Sequence, residues 1–271
     1  MIYQKLPPSP HLAPFVECYF VWEKDPVPEH PFCVESPPSG YASMVFSYGD
    51  AYRVRTEKQQ ILVPPAFLTG QATHQYSLEL SGRIGMIGIV FKPAGMSSLF
   101  GLPMYEFTEE RVALTDVLGR EMADLYEQIC QETTTYARVT RLENFLTRQL
   151  MRRGNCFDRT DYAANLIVEK QGIITIGDIM DELYVCRRQF ERLFLHKVGV
   201  SPKYYARIRR VGHMCALLVR HQWQVTDWQD LIHQAGYYDQ SHFIREFTQF
   251  TGKPPTAYVR QNVELARYLQ G

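Results

Sequence analysis

The last hundred residues of this chain repeat themselves, and that repeat limits the fold more than any other feature. At an offset of about 53 residues, Ile179 coincides with Ile232, Phe190 with Phe243, Arg192 with Arg245, Phe194 with Phe247, Gly199 with Gly252, Pro202 with Pro255 and Tyr205 with Tyr258. In each unit the two Phe residues stand four apart, on one face of a helix, where they belong in a core. The Arg between them lies on a different face and is free to reach outward. The glycine ends the helix, and the proline three residues further on prevents its continuation. Each unit is therefore a helix, a tight turn, an amphipathic second helix and a hard stop, which is the helix-turn-helix arrangement. Two copies are too few for a solenoid.

The stretch between the copies, KYYARIRRVGHMCALLVRH, carries Tyr205, Ile208, Val211, Met214 and Leu218 as an apolar stripe and reads as one long helix. It would hold the two second helices about 34 Å apart, the spacing of successive major grooves on one DNA face. Thr175 with Asp178 and Thr226 with Gln229 suggest capping boxes at the first helix of each unit. Gly236 marks a turn, and Asp239 suits the cap of the helix that follows.

Net charge is zero, which taken alone argues against a nucleic-acid partner. The sum conceals a division, because residues 1–156 hold 14 Lys+Arg against 17 Asp+Glu and the remainder holds 15 against 12. Within the second part, Arg187, Arg188, Arg192, Lys197, Lys203, Arg207, Arg209 and Arg210 are opposed only by Glu191. That density favours an anionic partner.

From about Tyr162 to Arg260 the chain resembles the DNA-binding domain of the AraC/XylS family of bacterial transcription regulators. Gly236, Tyr237, Asp239, Gln240, Ser241, Phe243, Arg245, Phe247, Gly252 and Pro255 follow the family signature, and IVFKPAGMSSLFGLP at 89–103 is similar to the sensor domain of one branch. The resemblance implies two recognition helices in adjacent major grooves and an attached sensing or dimerising domain, with activation the favoured outcome and RNA polymerase a candidate partner. It departs from the pattern at Cys186, where a small capping Ser is usual.

Arginine matches guanine O6 and N7, and glutamine matches adenine. Arg187, Arg188, Arg192, Gln240, Ser241 and Arg245 are accordingly the candidate base contacts. Thr175, Lys203, Arg207, Thr226 and His242 are the candidate phosphate contacts, two of them at helix starts that attract anions. Bracing of Arg192 and Arg245 by a carboxylate of their own unit is the competing role.

The first hundred residues read as strands over 17–23, 41–48, 60–70, 74–80 and 83–93, separated by Pro, Gly and Asp. The fold class expected is α+β with several domains: a β-sandwich or barrel-like sensor over 1–115, helices over 116–154, and an all-α double helix-turn-helix domain over 158–262. A β fold of this kind can enclose a small-molecule effector or fill its interior with side chains. Leu118, Met122, Leu125 and Ile129, then Val139, Leu142, Phe145, Leu146 and Leu150, give two amphipathic helices whose stripes face either the β domain or a second subunit. Gly154 is a helix stop in the linker at 151–159.

No apolar run is long enough to span a membrane, and prolines occupy the start, so a cytoplasmic protein is expected. Cys18, Cys33, Cys130, Cys156, Cys186 and Cys215 form no CxxC pair, which suggests free and mostly buried thiols without a metal. His11, His30 and His74 are scattered and lack the His-x-His of metal-binding barrels, so neither catalysis nor a cofactor is expected. A protein-interaction module without DNA readout is the alternative, and a β-barrel enzyme a more distant one.

Overall fold

Alternating β-branched and aromatic residues, broken by Pro, Gly and Asp, become strands through the first third of the chain. A computed structural model describes residues 2–25, 32–57, 59–154 and 156–270, with the side chains at 32 and 263–270 left aside. His30 lies outside the described residues. In chain order the strands are β1 (Ile2–Leu6), β2 (Val16–Lys24), β3 (Phe32–Ser36), β4 (Ser43–Ser47), β5 (Arg53–Arg55), β6 (Gln60–Leu62), β7 (Ala66–Thr69), β8 (Tyr76–Leu80), β9 (Ile84–Phe91) and β10 (Arg111–Ala113). Among the described residues they form a six-stranded sheet in the order β1-β2-β9-β4-β7-β10 and a four-stranded sheet in the order β3-β8-β5-β6. The run expected over 60–70 is two strands in two different sheets. Pro64 and Pro65 supply no ladder N–H and break it between β6 and β7.

Between the sheets Trp22, Val54, Phe67, Leu80 and Met86 form one apolar cluster. The other face of the six-stranded sheet is covered by helices: α1 (Gly95–Phe100), a 3-10 turn at Met104–Phe107, α2 (Leu114–Leu118), α3 (Glu121–Gln131) and α4 (Thr135–Arg153). Met122, Leu125 and Ile129 of α3 and Leu142, Phe145 and Leu146 of α4 join Tyr19, Met44, Phe46, Ile87 and Ile89 in one core. The stripes over 116–154 are thus covered by the sheet of their own chain. A partner subunit would meet their outer surfaces, where Tyr136 and Met151 stand exposed. Gly154 ends α4 with φ 69°.

The C-terminal part is helical throughout: α5 (Arg159–Glu169), α6 (Ile176–Leu183), α7 (Arg187–Val198), α8 (Pro202–Arg220), α9 (Trp228–Gln234), α10 (Gln240–Thr251) and α11 (Pro255–Gln270). The repeat is a repeat of packing. Phe190 and Phe243 are equally buried, as are Phe194 and Phe247, while Gly199 (φ 95°) and Gly252 (φ 69°) end α7 and α10 in left-handed conformation. Pro202 and Pro255 open the next helix in each case, using the one helical position where a missing N–H costs nothing. Helix α8 runs 19 residues, a rod of about 28 Å.

Both helical units dock on the β domain. At the first, a Cβ on Gly199 would come within 2.8 Å of the Met104 carbonyl, and the Thr108 hydroxyl donates to the Gly199 carbonyl at 2.9 Å. Lys197 Nζ lies 2.6 Å from Asp161, 2.7 Å from Asp158 and 3.1 Å from the Ser98 hydroxyl of α1. Beyond it, the strap from Glu35 to Tyr41 is gripped by three side chains, two on α8 and one just after α10. Lys253 pairs with Glu35 at 2.7 Å, Arg209 donates to the Ser39 carbonyl at 2.7 Å while stacking over Tyr41, and the buried Tyr205 hydroxyl donates to the Gly40 carbonyl at 2.7 Å.

The six cysteines are free thiols, but the expectation of burial fails at Cys33, Cys130 and Cys186, which are exposed. Among the described residues no helix is long and apolar enough to cross a membrane.

Candidate nucleic-acid interface

Each second helix begins at an exposed corner. Asp239 caps α10 by accepting from the Ser241 and His242 N–H groups at 2.9 and 3.3 Å, which sets Gln240 and Ser241 in an exposed first turn. Cys186 occupies the corresponding place on α7 and makes no capping bond. Cys186→Ser is expected to stabilise the chain by about 0.5 to 1 kcal/mol, and a urea midpoint that stays level or falls would contradict this.

The first helices are capped less uniformly than expected. Thr175 accepts from the Asp178 N–H at 3.2 Å, one half of the expected box. At α9 the cap is Asp227, bonded to the Gln229 and Asp230 N–H groups at 2.8 and 3.2 Å, and not Thr226. Two cap-forming residues stand side by side there, and the carboxylate takes two of the four orphan donors.

The basic run divides sharply. Arg187, Arg188, Arg192 and Lys203 are exposed, with Arg187 paired only to Glu191 of its own helix at 2.9 Å. Lys197 is held by Asp158 and Asp161 at the start of α5 and by Ser98 of α1, and Arg209 is engaged with the strap as described above. Arg207 and Arg210 converge on Glu246, whose side chain is 1% exposed. Glu246 accepts from Arg207 at 2.6 Å, from Arg210 at 2.9 Å and from the Tyr237 hydroxyl at 2.7 Å. Burial would raise its pKa, but the Arg207 and Tyr237 hydrogen bonds and the Arg210 charge outweigh burial and hold it below the ordinary Glu value. This clasp joins α10 to α8 and has no counterpart in the first unit, where Leu193 occupies the equivalent position. Glu246 did not emerge from the sequence as a functional residue. Its signal was a carboxylate inside the apolar stripe Phe243, Phe247, Phe250.

Between the two units lies a cleft of about 590 Å³ lined by Thr175, Lys203, Arg207, Arg210, His242 and Glu246. Four of the five candidate phosphate contacts border this one cleft, and Thr226 is not among its lining residues. Arg207 also donates to Gln249 at 2.7 Å, so a phosphate would have to draw it from an existing network. Arg245 is exposed and donates to the Ser241 carbonyl of its own helix at 3.3 Å, not to a carboxylate.

Residues 179–261 match the family model described as a helix-turn-helix domain. This segment is a helix-turn-helix domain of the AraC type. Residues 4–113, ahead of it, match a second model, described as a domain of unknown function, DUF6597. With this helix-turn-helix domain the chain is a DNA-binding transcription regulator, and DNA is its partner. Among solved structures, ToxT from Vibrio cholerae is similar over 89% of this chain and 97% of its own, at 12% identity and a TM-score of 0.47. ToxT bound to (E)-4-(8-methylnaphthalen-1-yl)but-3-enoic acid is similar over 96% and 98%, at 11% identity and a TM-score of 0.46. No curated protein matches the sequence.

Proposed function

We propose that the AraC-type domain sets α7 and α10 in successive major grooves, with α8 as the spacer and the strand between the grooves lying along the cleft at Thr175, Lys203 and His242. The observation that carries this reading is the agreement of position and exposure. The candidate base contacts Arg187, Arg188, Arg192, Gln240, Ser241 and Arg245 are all exposed on the two second helices, and the cleft with most of the phosphate candidates lies between the units. Transcription activation, with RNA polymerase as second partner, is the outcome the family resemblance favours.

Control by a small molecule in the N-terminal domain is the second part of the proposal. Between the two sheets is a cavity of about 430 Å³ walled by Phe20, Trp22, Tyr52, Phe67 and Met86, with Arg111 also in its lining. Glu35, Ser36 and Ser39 also line it, and they belong to the strap that α8 and Lys253 grip. An occupant that moves the strap therefore acts on the DNA-binding domain through Glu35 and Ser39.

Titrating a random-sequence duplex at rising salt tests the DNA part. The logarithm of affinity is expected to fall linearly with the logarithm of salt, with a slope magnitude of about 3 or more if at least four phosphates are neutralised. A flat response would support the alternative, a module that binds another protein through apolar contacts.

A further inference from the structure

Two tyrosines are left in water just ahead of α7 and α10, one residue out of register with each other in the 53-residue repeat, where Tyr184 answers to the buried Tyr237 and Tyr238 to Val185. Tyr184 is 91% exposed and Tyr238 is fully exposed. Tyr184 stands two residues before Cys186, the cap position of α7, and Tyr238 directly precedes the Asp239 cap of α10. The turns that carry them are built differently. In the second unit Gly236 takes the left-handed position with φ 75°, and the buried Tyr237 packs on Phe243. In the first unit the left-handed residue is Tyr184, with φ 51° and ψ 47°, one place nearer its cap than Gly236 is. A side chain there costs energy that glycine avoids, and the ring buries nothing in return.

We propose that Tyr184 and Tyr238 are each DNA contacts, one flanking each reading helix, in which the hydroxyl donates to a phosphate oxygen and the ring lies against the adjoining sugar. The inference rests on the reading of α7 and α10 as groove-bound helices. In that geometry the N-terminal end of a recognition helix approaches the bases, and the residues just ahead of it meet the groove wall. Tyr184 is within four residues of Arg187 and Arg188, and Tyr238 is within three of Gln240 and Ser241. Tyrosine suits this place, since its hydroxyl reaches phosphate oxygens and its ring tolerates a sugar edge. A DNA duplex presents a groove wall ahead of each reading helix, one turn apart, so each tyrosine meets one although the two differ by one residue in register. A protein partner would have to reproduce that spacing.

The test uses the full chain and a duplex that the wild type enriches from a random library. Fluorescence anisotropy gives Kd, and a thermal melt gives the midpoint, for Tyr184→Gly, Tyr184→Phe and Tyr238→Ala. Tyr184→Gly and Tyr238→Ala are each expected to weaken binding about tenfold, the worth of one hydrogen bond to a charged group. Tyr184→Gly should at the same time raise the melting midpoint, because glycine relieves the left-handed backbone, and a merely structural tyrosine would not separate the two readouts. Tyr184→Phe should lose most of the affinity that Tyr184→Gly loses. Unchanged Kd in all three variants overturns the proposal. Unchanged Kd with loss of activation in a purified transcription assay overturns it too, and assigns the rings to the polymerase. If the wild type enriches no duplex, the DNA reading itself fails, which is distinct from wild type and variants binding alike.

Discussion

Glu246→Gln is expected to destabilise the chain by about 3 kcal/mol, because removing one partner of a buried pair leaves the others charged and without an opposing charge. Arg207 and Arg210 are only 28% and 20% exposed in their side chains, so water can recover little of the lost interaction. The amide keeps the shape and can still accept one bond, so the deficit measured is chiefly that of charge. The loss should appear as a lower urea midpoint. It should also depend on pH in a fixed sense. The carboxyl is held below its ordinary value of 4.5 in the folded chain, so its contribution is complete above that pH and disappears as pH falls through the lowered value. The difference between wild type and Glu246→Gln is therefore largest near neutrality and shrinks in acid. A difference that does not change with pH would contradict the clasp. Function should suffer alongside stability, since Glu246 fixes α10 against α8.

Arg188→Ala is expected to relax sequence preference at a single base pair, at a cost of about 1 to 3 kcal/mol on the preferred duplex. Arg188 is exposed in the first turn of α7, the part of a recognition helix that reaches base edges. Lys203→Ala should behave differently. Lys203 is exposed at the second position of α8 and borders the cleft between the units, so its loss should weaken all duplexes alike and make the salt dependence shallower by about one unit. Affinity selections on both variants separate the two roles. If the two altered the selected motif in the same way, the division into base and phosphate contacts would be rejected.

The repeat at the C-terminus was legible because helical cores use few residue types at fixed spacing. Phe190, Phe194, Phe243 and Phe247 entered the core as their four-residue spacing demands. The basic run was legible only as a density of charge. Which cations face outward depends on partners far along the chain: Glu246 is 36 residues from Arg210, Asp161 is 36 from Lys197, and Ser39 is 170 from Arg209. Local pattern carries no trace of those pairings. The strands β1, β3, β5 and β10 escaped notice for a related reason. They are three to five residues long and acquire their strand character from a neighbour in the sheet. At α9 the choice between Thr226 and Asp227 as cap turned on one residue of register, which helix-end signals do not resolve.

A selection of bound duplexes from a random library by the intact chain reads out whether α7 and α10 both enter DNA grooves. Two separate blocks of preferred sequence are expected, centred about 10 to 10.5 base pairs apart, one assigned to α7 and one to α10. The α7 block should change with Arg188→Ala while the α10 block stays as it was. A single block, or two blocks at a spacing that does not place them on one face of the helix, would contradict groove entry by both helices.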